Sequence, residues 1–469
     1  MHSPPQSSTV SSMRKRSFRR GFIKELASLV LPIVIQSLIT SSVSLADTVM
    51  LGRVDQTSLS ASSLAGQVQF LLNILFFGLT SAIVILASQY WGKKDSETIG
   101  KIFGIGLIIS AVCSFLAFCG AFFAPSLVIR FWTDGPELAA AGAVYLRFAA
   151  CSYLFAGLTQ PYLAVMKSCE RVKLSTVIST FTFLCNVVLN AVLIFGLFGM
   201  PAMGITGAAL ATSISRGVEA LLCLTDFLHQ EYIPRSPRIL LNIPRELTQD
   251  FIRYSLPALV NDILWALAYN MNSVIMGHLG SDITAASAMA AVVRDLITVT
   301  GFGISSASAI LLGREIGEDR LEAARKDASD ILYLAIVVCV IQGVFLLAVS
   351  PLIPQIVKIS PTAAGYLRIM LYISILYQSG QVINTLLIAS FFRCGGDSRY
   401  GLRLDMLSMW GFAVPLGLLS AFVLKLPPII VYALTCTDEF VKLPFAVHHY
   451  RRGDWIRNLT RDFAAGGEE

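Results

Sequence analysis

The chain has 469 residues, 55% of them hydrophobic and only 14% charged, with a mean hydropathy of +0.68. Soluble proteins carry about 25% charged residues, so a water-soluble multidomain chain is excluded and the composition reads as a polytopic membrane protein. The net charge of +6 is scattered through short loops, a topology signal and no nucleic-acid patch.

The chain opens on "MHSPPQSSTVSSMRKRSFRR". This segment has no apolar core and no cleavage site, so it is not a signal peptide. Residues 1–20 read as a disordered basic lead. Twelve apolar spans follow, at about 26–50, 60–90, 101–124, 139–166, 174–198, 205–227, 251–279, 285–313, 330–353, 362–391, 404–424 and 427–447. Each can cross roughly 30 Å of hydrocarbon as a helix, and each is too long and continuous for a barrel strand. The expected fold is all-α, with six helices in a first lobe (21–227) and six in a second (251–449). A polar linker (228–250) joins them, and a tail (450–469) ends the chain. Most Lys and Arg fall in alternate loops; the loops between hold only Arg53, Arg130, Lys358 and Lys425. The positive-inside rule then puts both termini in the cytoplasm of a multi-pass cell-membrane protein. Nine cysteines, none in a CxxC pair, read as small packing residues.

The halves repeat. A shift of 225 residues lays Leu31-Pro32 on Leu256-Pro257, Gly52 on Gly277, Phe77-Gly78 on Phe302-Gly303, Ser81-Ala82 on Ser306-Ala307 and Gly92 on Gly317. Chance similarity between apolar helices does not give in-phase Pro, Gly and Phe-Gly. Six helices is an even number, so both halves enter from the same face. They are expected to be related by a pseudo-twofold along the membrane normal, the parallel-repeat plan of several secondary transporters. Pro32 and Pro257 mark expected bends.

Polar residues inside the spans point to function. On the first helix Gln36, Thr40, Ser44 and Asp47 fall within about 80° of one another at 100° per residue. A carboxylate in a membrane helix costs about 2.5–3.5 kcal/mol, so it faces a cavity or a partner. Asp47 reads as a lumen-facing cation site for H⁺ or Na⁺, or as a solvated residue near the outer end. The matching stripe of the second half is Asn261, Trp265, Tyr269 and Asn272, beside Asp262. Its aromatics suit an organic cation or simple packing between helices. Asn186 and Asn190 share a face of the fifth span. Arg294-Asp295 and Arg216 with Glu219 read as internal ion pairs. His448-His449 lacks further metal ligands, no P-loop is present to suggest ATP, and no catalytic constellation emerges. No cofactor and no enzymatic activity are expected.

In its first half the chain carries "LPIVIQSLITSSVSLADTVMLG", "ASQYWGKKD" and "GMPAMGITGAALATSISR". Its second half carries "LPALVNDILWALAYNMNSVIMGHLGSDITAASA", "GREIGEDR" and "FFRCGGDSR". In these motifs and their order it resembles the multidrug and toxic compound extrusion family, within a superfamily that includes lipid-linked oligosaccharide flippases. The resemblance implies two six-helix lobes and export of organic cations in exchange for H⁺ or Na⁺. It implicates Asp47 and Asn186 in cation coupling, with Asn190 where one branch has aspartate. Another branch places carboxylates where this chain has Trp265 and Gln381, with Asp262 or Asp295 as substitutes. The cation-coupling set is thus Asp47, Asn186, Asn190, Ser44 and Thr40. The substrate set is Gln36, Asn261, Trp265, Tyr269, Asn272 and Gln381. On this reading the first lobe kept a carboxylate, while the second lost charge and gained aromatics. Partners are small organic cations and membrane lipid, with no nucleic acid, and the protein is expected to be a monomer. The alternative is a flippase for a lipid-linked oligosaccharide or cell-wall precursor. That would need basic residues in the cleft, and the spans offer Arg147, Arg216, Arg294 and Arg368.

Overall fold

The structure, a computed structural model, describes residues 7–463 except 134, 237, 238, 241, 357 and 358; the side chains of 7–21, 23, 41, 43–45 and 356 are also outside the description. Lys358 and the side chain of Ser44 therefore lie outside the described residues.

Twelve membrane helices follow one another. In the first half they are α1 (Ser7–Gly52), α2 (Gln56–Gly92), α3 (Ser96–Phe123), α4 (Pro136–Ser168), α5 (Val172–Phe195) and α6 (Gly204–His229). In the second they are α7 (Arg245–His278), α8 (Ser281–Gly317), α9 (Leu321–Val349), α10 (Pro361–Phe392), α11 (Ser398–Val423) and α12, which comes in two pieces, Pro428–Thr435 and Asp438–Arg452. Nine of these are individually long and apolar enough to cross a bilayer among the described residues. Helix α7 is too polar to qualify alone, because it carries Asn261, Asp262 and Asn272, which the lobe covers. Local chemistry sets the ends. Asp55 and Asp95 cap α2 and α3 by accepting from the Ser58 and Thr98 amides at 2.6 and 2.9 Å. Proline opens α4, α10 and α12. Gly196 and Gly453, at φ 71° and 77°, supply the left-handed residue that stops α5 and α12. The basic lead is a correction: from Ser7 onward it is helical and continuous with α1. Propagating an existing helix through Arg and Lys, both good helix formers, is far easier than nucleating a new one. Residues 1–6 lie outside the description.

The repeat is visible in the packing. Within the first lobe α1 packs on α5, α2 on α3 and α4, α4 on α3 and α6, and α5 on α6. Every one of these pairs recurs six helices later. Between lobes α1 meets α8, α7 meets α2, and α2 meets α8. This is the exchange expected of a twofold with α2 and α8 beside its axis. The register is preserved residue by residue. A Cβ on Gly78 would strike Leu259, and one on Gly303 would strike Val34, the residue equivalent to Leu259. A Cβ on Gly317 would overlap the Gln89 carbonyl, and one on Gly92 the Arg314 carbonyl, again equivalent positions. Even the turn after each of these helices repeats, with Lys94 and Asp319 at φ 62° and 59°. Helices α3 and α9, also equivalent, carry outward apolar stripes such as Val112, Phe115 and Leu116, and Val340, Ile341 and Val344, all more than half exposed. These faces suit lipid.

Among the described residues the cores that the lobes share lie toward one end. Toward the face that carries the basic loops, Phe22, Leu26, Leu29 and Ile33 of α1 share a core with α8, α9 and α10. A second core there joins α2, α3 and α4 to Leu247 and Phe251 of α7. Toward the opposite face each core belongs to a single lobe. The two bundles thus close at the basic face and part toward the other. The chain beyond α12 takes part in the closure. Trp455, fully buried, stacks on Phe391 at 5.5 Å. Residues 457–462 then reach the first lobe. Gln89 donates to the Cys394 and Arg457 carbonyls at 2.7 and 3.2 Å and accepts from the Leu459 amide at 2.7 Å. Lys93 pairs with Asp462 at 2.6 Å. Arg314, the repeat counterpart of Gln89, joins the lobes from the other side: it pairs with Glu25 at 2.8 Å and with Glu170.

Two outcomes check this interface. Gly317→Ala should lower the melting temperature of the purified protein in detergent, by overpacking worth about 1–3 kcal/mol. Gly277→Ala, where nothing lies within 4 Å of the added carbon, should be neutral or slightly stabilising. Deleting residues 454–469 should raise the accessibility of a reporter cysteine at Ser88, buried where α2 crosses α8, to a membrane-permeant maleimide.

Candidate functional site

In the first lobe four helices bring an amide ladder to one carboxylate. Asn190 of α5 donates to Asp47 of α1 at 2.6 Å and to Asn186 at 3.2 Å. Asn186 reaches Ser215 and Thr212 of α6 at 3.4 and 3.5 Å, and Tyr145 of α4 hydrogen-bonds Thr212. Asn190 is 1% exposed and Asn186 6%, while Asp47 is half-buried. The half-buried carboxylate thus stands at the end of a buried amide cluster, with hydroxyl and amide oxygens around it. Sequence reading placed Asp47, Asn186 and Asn190 together, and the structure brings them together. It missed Tyr145, Thr212 and Ser215. The spacing of Thr212 and Ser215, one turn apart in "ATSISR", was the available signal. Thr40 hydrogen-bonds the Gln36 carbonyl on its own helix.

The second lobe is not neutral, which corrects the expectation that it lost its charge. Lys442 of α12, 3% exposed, lies 3.1 Å from Asp405, 3.0 Å from Glu439 and 3.8 Å from Asp438. Asn261 donates to Asp405 at 3.0 Å, and Asn384 to Glu439 at 2.8 Å. Asp262 is not a free carboxylate, because Arg393 holds it by two bonds of 2.6 and 3.4 Å. Arg393, counted from sequence among the loop residues, is 5% exposed and also donates to Ser81 of the first lobe at 3.3 Å. These groups sit on α7, α10, α11 and α12, so no single helix displayed the network. Helix α10 carries its π-type turns at Leu386–Phe392, and α11 carries others at Met406–Ala413. Such turns accompany functional or irregular interiors.

The predicted substrate set divides. Trp265, Tyr269 and Asn272 line one second-lobe pocket together with Arg294, Tyr377 and Asp438. Trp265 stacks on Tyr269 at 5.6 Å. Asn261 belongs to the charged network instead, Gln381 is buried inside the lobe, and Gln36 lies on α1 away from the pocket. Arg294 and Asp295 do not pair directly, a second correction. Successive helical residues point about 100° apart, and the Tyr269 hydroxyl bridges them, accepting from Arg294 at 3.1 Å and bonding Asp295. The Arg216–Glu219 pair does form, at 2.6 Å.

Comparison with known proteins decides the family. The family model described as MatE matches twice, over residues 32–192 and 257–419. The chain belongs to the MatE family. It is a multi-pass membrane transporter and not an enzyme. The two matches start 225 residues apart, the same shift that superposes the repeats. Among curated MatE relatives, the "Uncharacterized transporter YisQ" of Bacillus subtilis is 23% identical over 92% of this chain and 95% of its own length. The "Probable multidrug resistance protein NorM" of Haemophilus ducreyi is 23% identical over 85% and 86%. Among solved structures, an outward-facing multidrug resistance MATE transporter has a TM-score of 0.83 at 18% identity, covering 92% of this chain and 95% of that one. The Vibrio cholerae MATE transporter VcmN in its bent form also scores 0.83, at 16% identity over 92% and 97%. The MatE fold of two six-helix lobes is therefore this chain's fold.

The two polar interiors differ in what they can lose. Asn190→Ala removes one neutral amide and should cost about 1–3 kcal/mol. Lys442→Met leaves three buried carboxylates without their cation and should cost about 3–5 kcal/mol or prevent folding. Detergent melting curves of the two variants should show that order.

Proposed function

We propose that the protein is a secondary active multidrug exporter that moves organic cations outward in exchange for H⁺ or Na⁺. The observation that carries this is Asp47. It is a half-buried carboxylate on a helix that lines the space between two lobes, and a buried amide holds it at 2.6 Å. Such a group binds a small cation from one side of the membrane and releases it to the other when the lobes rock about it. Relatives named as multidrug resistance proteins, such as NorM, support the drug-export reading. With the basic face in the cytoplasm, as the Lys and Arg distribution implies, the protein stands in the plasma membrane with both termini inside, and the conformation described is outward-open.

The flippase reading lacks its main requirement. Arg216 is paired with Glu219, Arg393 with Asp262, and Lys442 with three carboxylates. Among the described residues Arg294 is the one cation lining the second-lobe pocket without an ion-pair partner, and a lone guanidinium is not the cluster a lipid phosphate needs. The test is transport in proteoliposomes with imposed proton or sodium gradients and a fluorescent cationic dye. Wild type should export the dye with one gradient or the other. Asp47→Asn should lose at least about tenfold of that gradient-driven flux, since one charged hydrogen-bonded interaction is worth about 1.5–3 kcal/mol. Equal flux in Asp47→Asn and wild type would overturn the coupling role.

A further inference from the structure

The second-lobe pocket holds two opposite charges that do not satisfy each other. Arg294 of α8 is 5% exposed, and its Nε has no hydrogen-bond partner. Asp438 of α12 is 3% exposed, and its carboxylate takes no hydrogen bond from any side chain, only one from the Glu439 backbone amide. Both line the same pocket, yet they form no ion pair. The guanidinium instead sits over the rings of Tyr269 and Tyr377 at 5.3 and 5.2 Å. The nearest cation to Asp438, Lys442 at 3.8 Å, is held more closely by Asp405 and Glu439. Asn272 adds an unpartnered side-chain oxygen. Buried charges left this way are costly unless something pairs them.

This arrangement restricts the ligand. A purely cationic aromatic would gain Asp438 but would meet Arg294, which already occupies the ring faces meant for it. A purely anionic one would gain Arg294 and meet Asp438. A solute carrying both an ammonium and a carboxylate on an aromatic frame satisfies both groups. We propose that the pocket binds amphoteric aromatic solutes, with the carboxylate on Arg294, the ammonium on Asp438 and Asn272, and the ring against the Trp265–Tyr269 stack. The proposal refines the export reading by naming the solute class. The binding test below stands independently of transport.

The probes are phenylalanine, phenethylamine and 3-phenylpropionate, which share one ring and differ in charge. Binding to the full-length protein in detergent is measured by isothermal titration at neutral pH. Phenylalanine should bind at least tenfold more tightly than either single-charge analogue, and this comparison in wild type needs no variant to fold. Arg294→Gln should reduce affinity for the two carboxylate-bearing probes by tenfold or more and spare phenethylamine. Asp438→Asn should do the reverse for the two amines, again by tenfold or more. Phenethylamine binding as tightly as phenylalanine in wild type, or folded variants that keep the wild-type ratios, would overturn the proposal. Gradient-driven uptake of labelled phenylalanine in proteoliposomes is scored separately. Tight binding without flux would leave the pocket assignment standing and show that the protein does not carry this solute across, with the export reading then resting on the dye assay alone.

Discussion

The close crossing of α2 and α8 is the constraint from which the rest of the architecture follows. Glycines 92 and 317 let each helix lay its backbone against a carbonyl of the other, and no larger residue fits either place. Because the two contacts are equivalent under the repeat, they fix the axis that relates the lobes. Once that axis is set, α1 must meet α8 as α7 meets α2. The second glycine pair, 78 and 303, supplies the clearance for both contacts. Small residues at helix crossings are how membrane proteins gain packing energy when lipid is as apolar as the helices themselves.

Symmetry of the backbone does not extend to the polar interiors. The first lobe holds one carboxylate against a chain of neutral amides and hydroxyls. That cluster can change its occupancy cheaply, because its donors reorient and only one charge is at stake. The second lobe holds Asp262, Asp405, Asp438 and Glu439 against Arg393 and Lys442, mostly in direct contact. In a low-dielectric interior each of these charges depends on its neighbours. The network therefore ties α7, α10, α11 and α12 into a unit. The same duplicated helix bundle thus carries a single carboxylate among neutral groups in one half and a network of several charges in the other.

Much of this was legible in the sequence, for reasons that also explain the rest. Most of the twelve spans show because they are apolar over nearly their full length; α7 and α12 carry charged residues and show more weakly. The repeat shows because glycine and proline carry backbone meaning that other residues do not. Asp47 was readable because a carboxylate amid hydrocarbon stands out; its grouping with Asn186 and Asn190 came from the family resemblance. Lys442, Asp405 and Asp438 stayed hidden for the opposite reason. Asp405 sits at the start of its span beside a loop rich in charge, while Asp438 and Lys442 lie inside the twelfth span, and only the lobe's interior geometry shows that they meet. Arg393 belongs with them: its segment "FFRCGGDSR" reads as a turn, yet its side chain runs back into the lobe. The aromatic stripe of α7 was seen correctly as a stripe, but not that Arg294 from α8 would cover it. A charge contributed by another helix leaves no trace in the periodicity of the first.

The distribution of bonds also says how such a molecule can switch. At the closed face the lobes are joined by Gln89 and Arg314, by the strand of chain after Trp455, and by small-residue contacts. Polar bonds at that face are worth about 0.5–1.5 kcal/mol each net, because water replaces what is broken. Separating the lobes there exchanges protein bonds for water bonds at modest cost. Breaking into either lobe would instead strand buried amides or charges with no water to receive them, at several kcal/mol apiece. Motion is therefore channelled into the interface and out of the bundles. Two lobes moving as rigid units is the change this partition of strong and weak contacts favours.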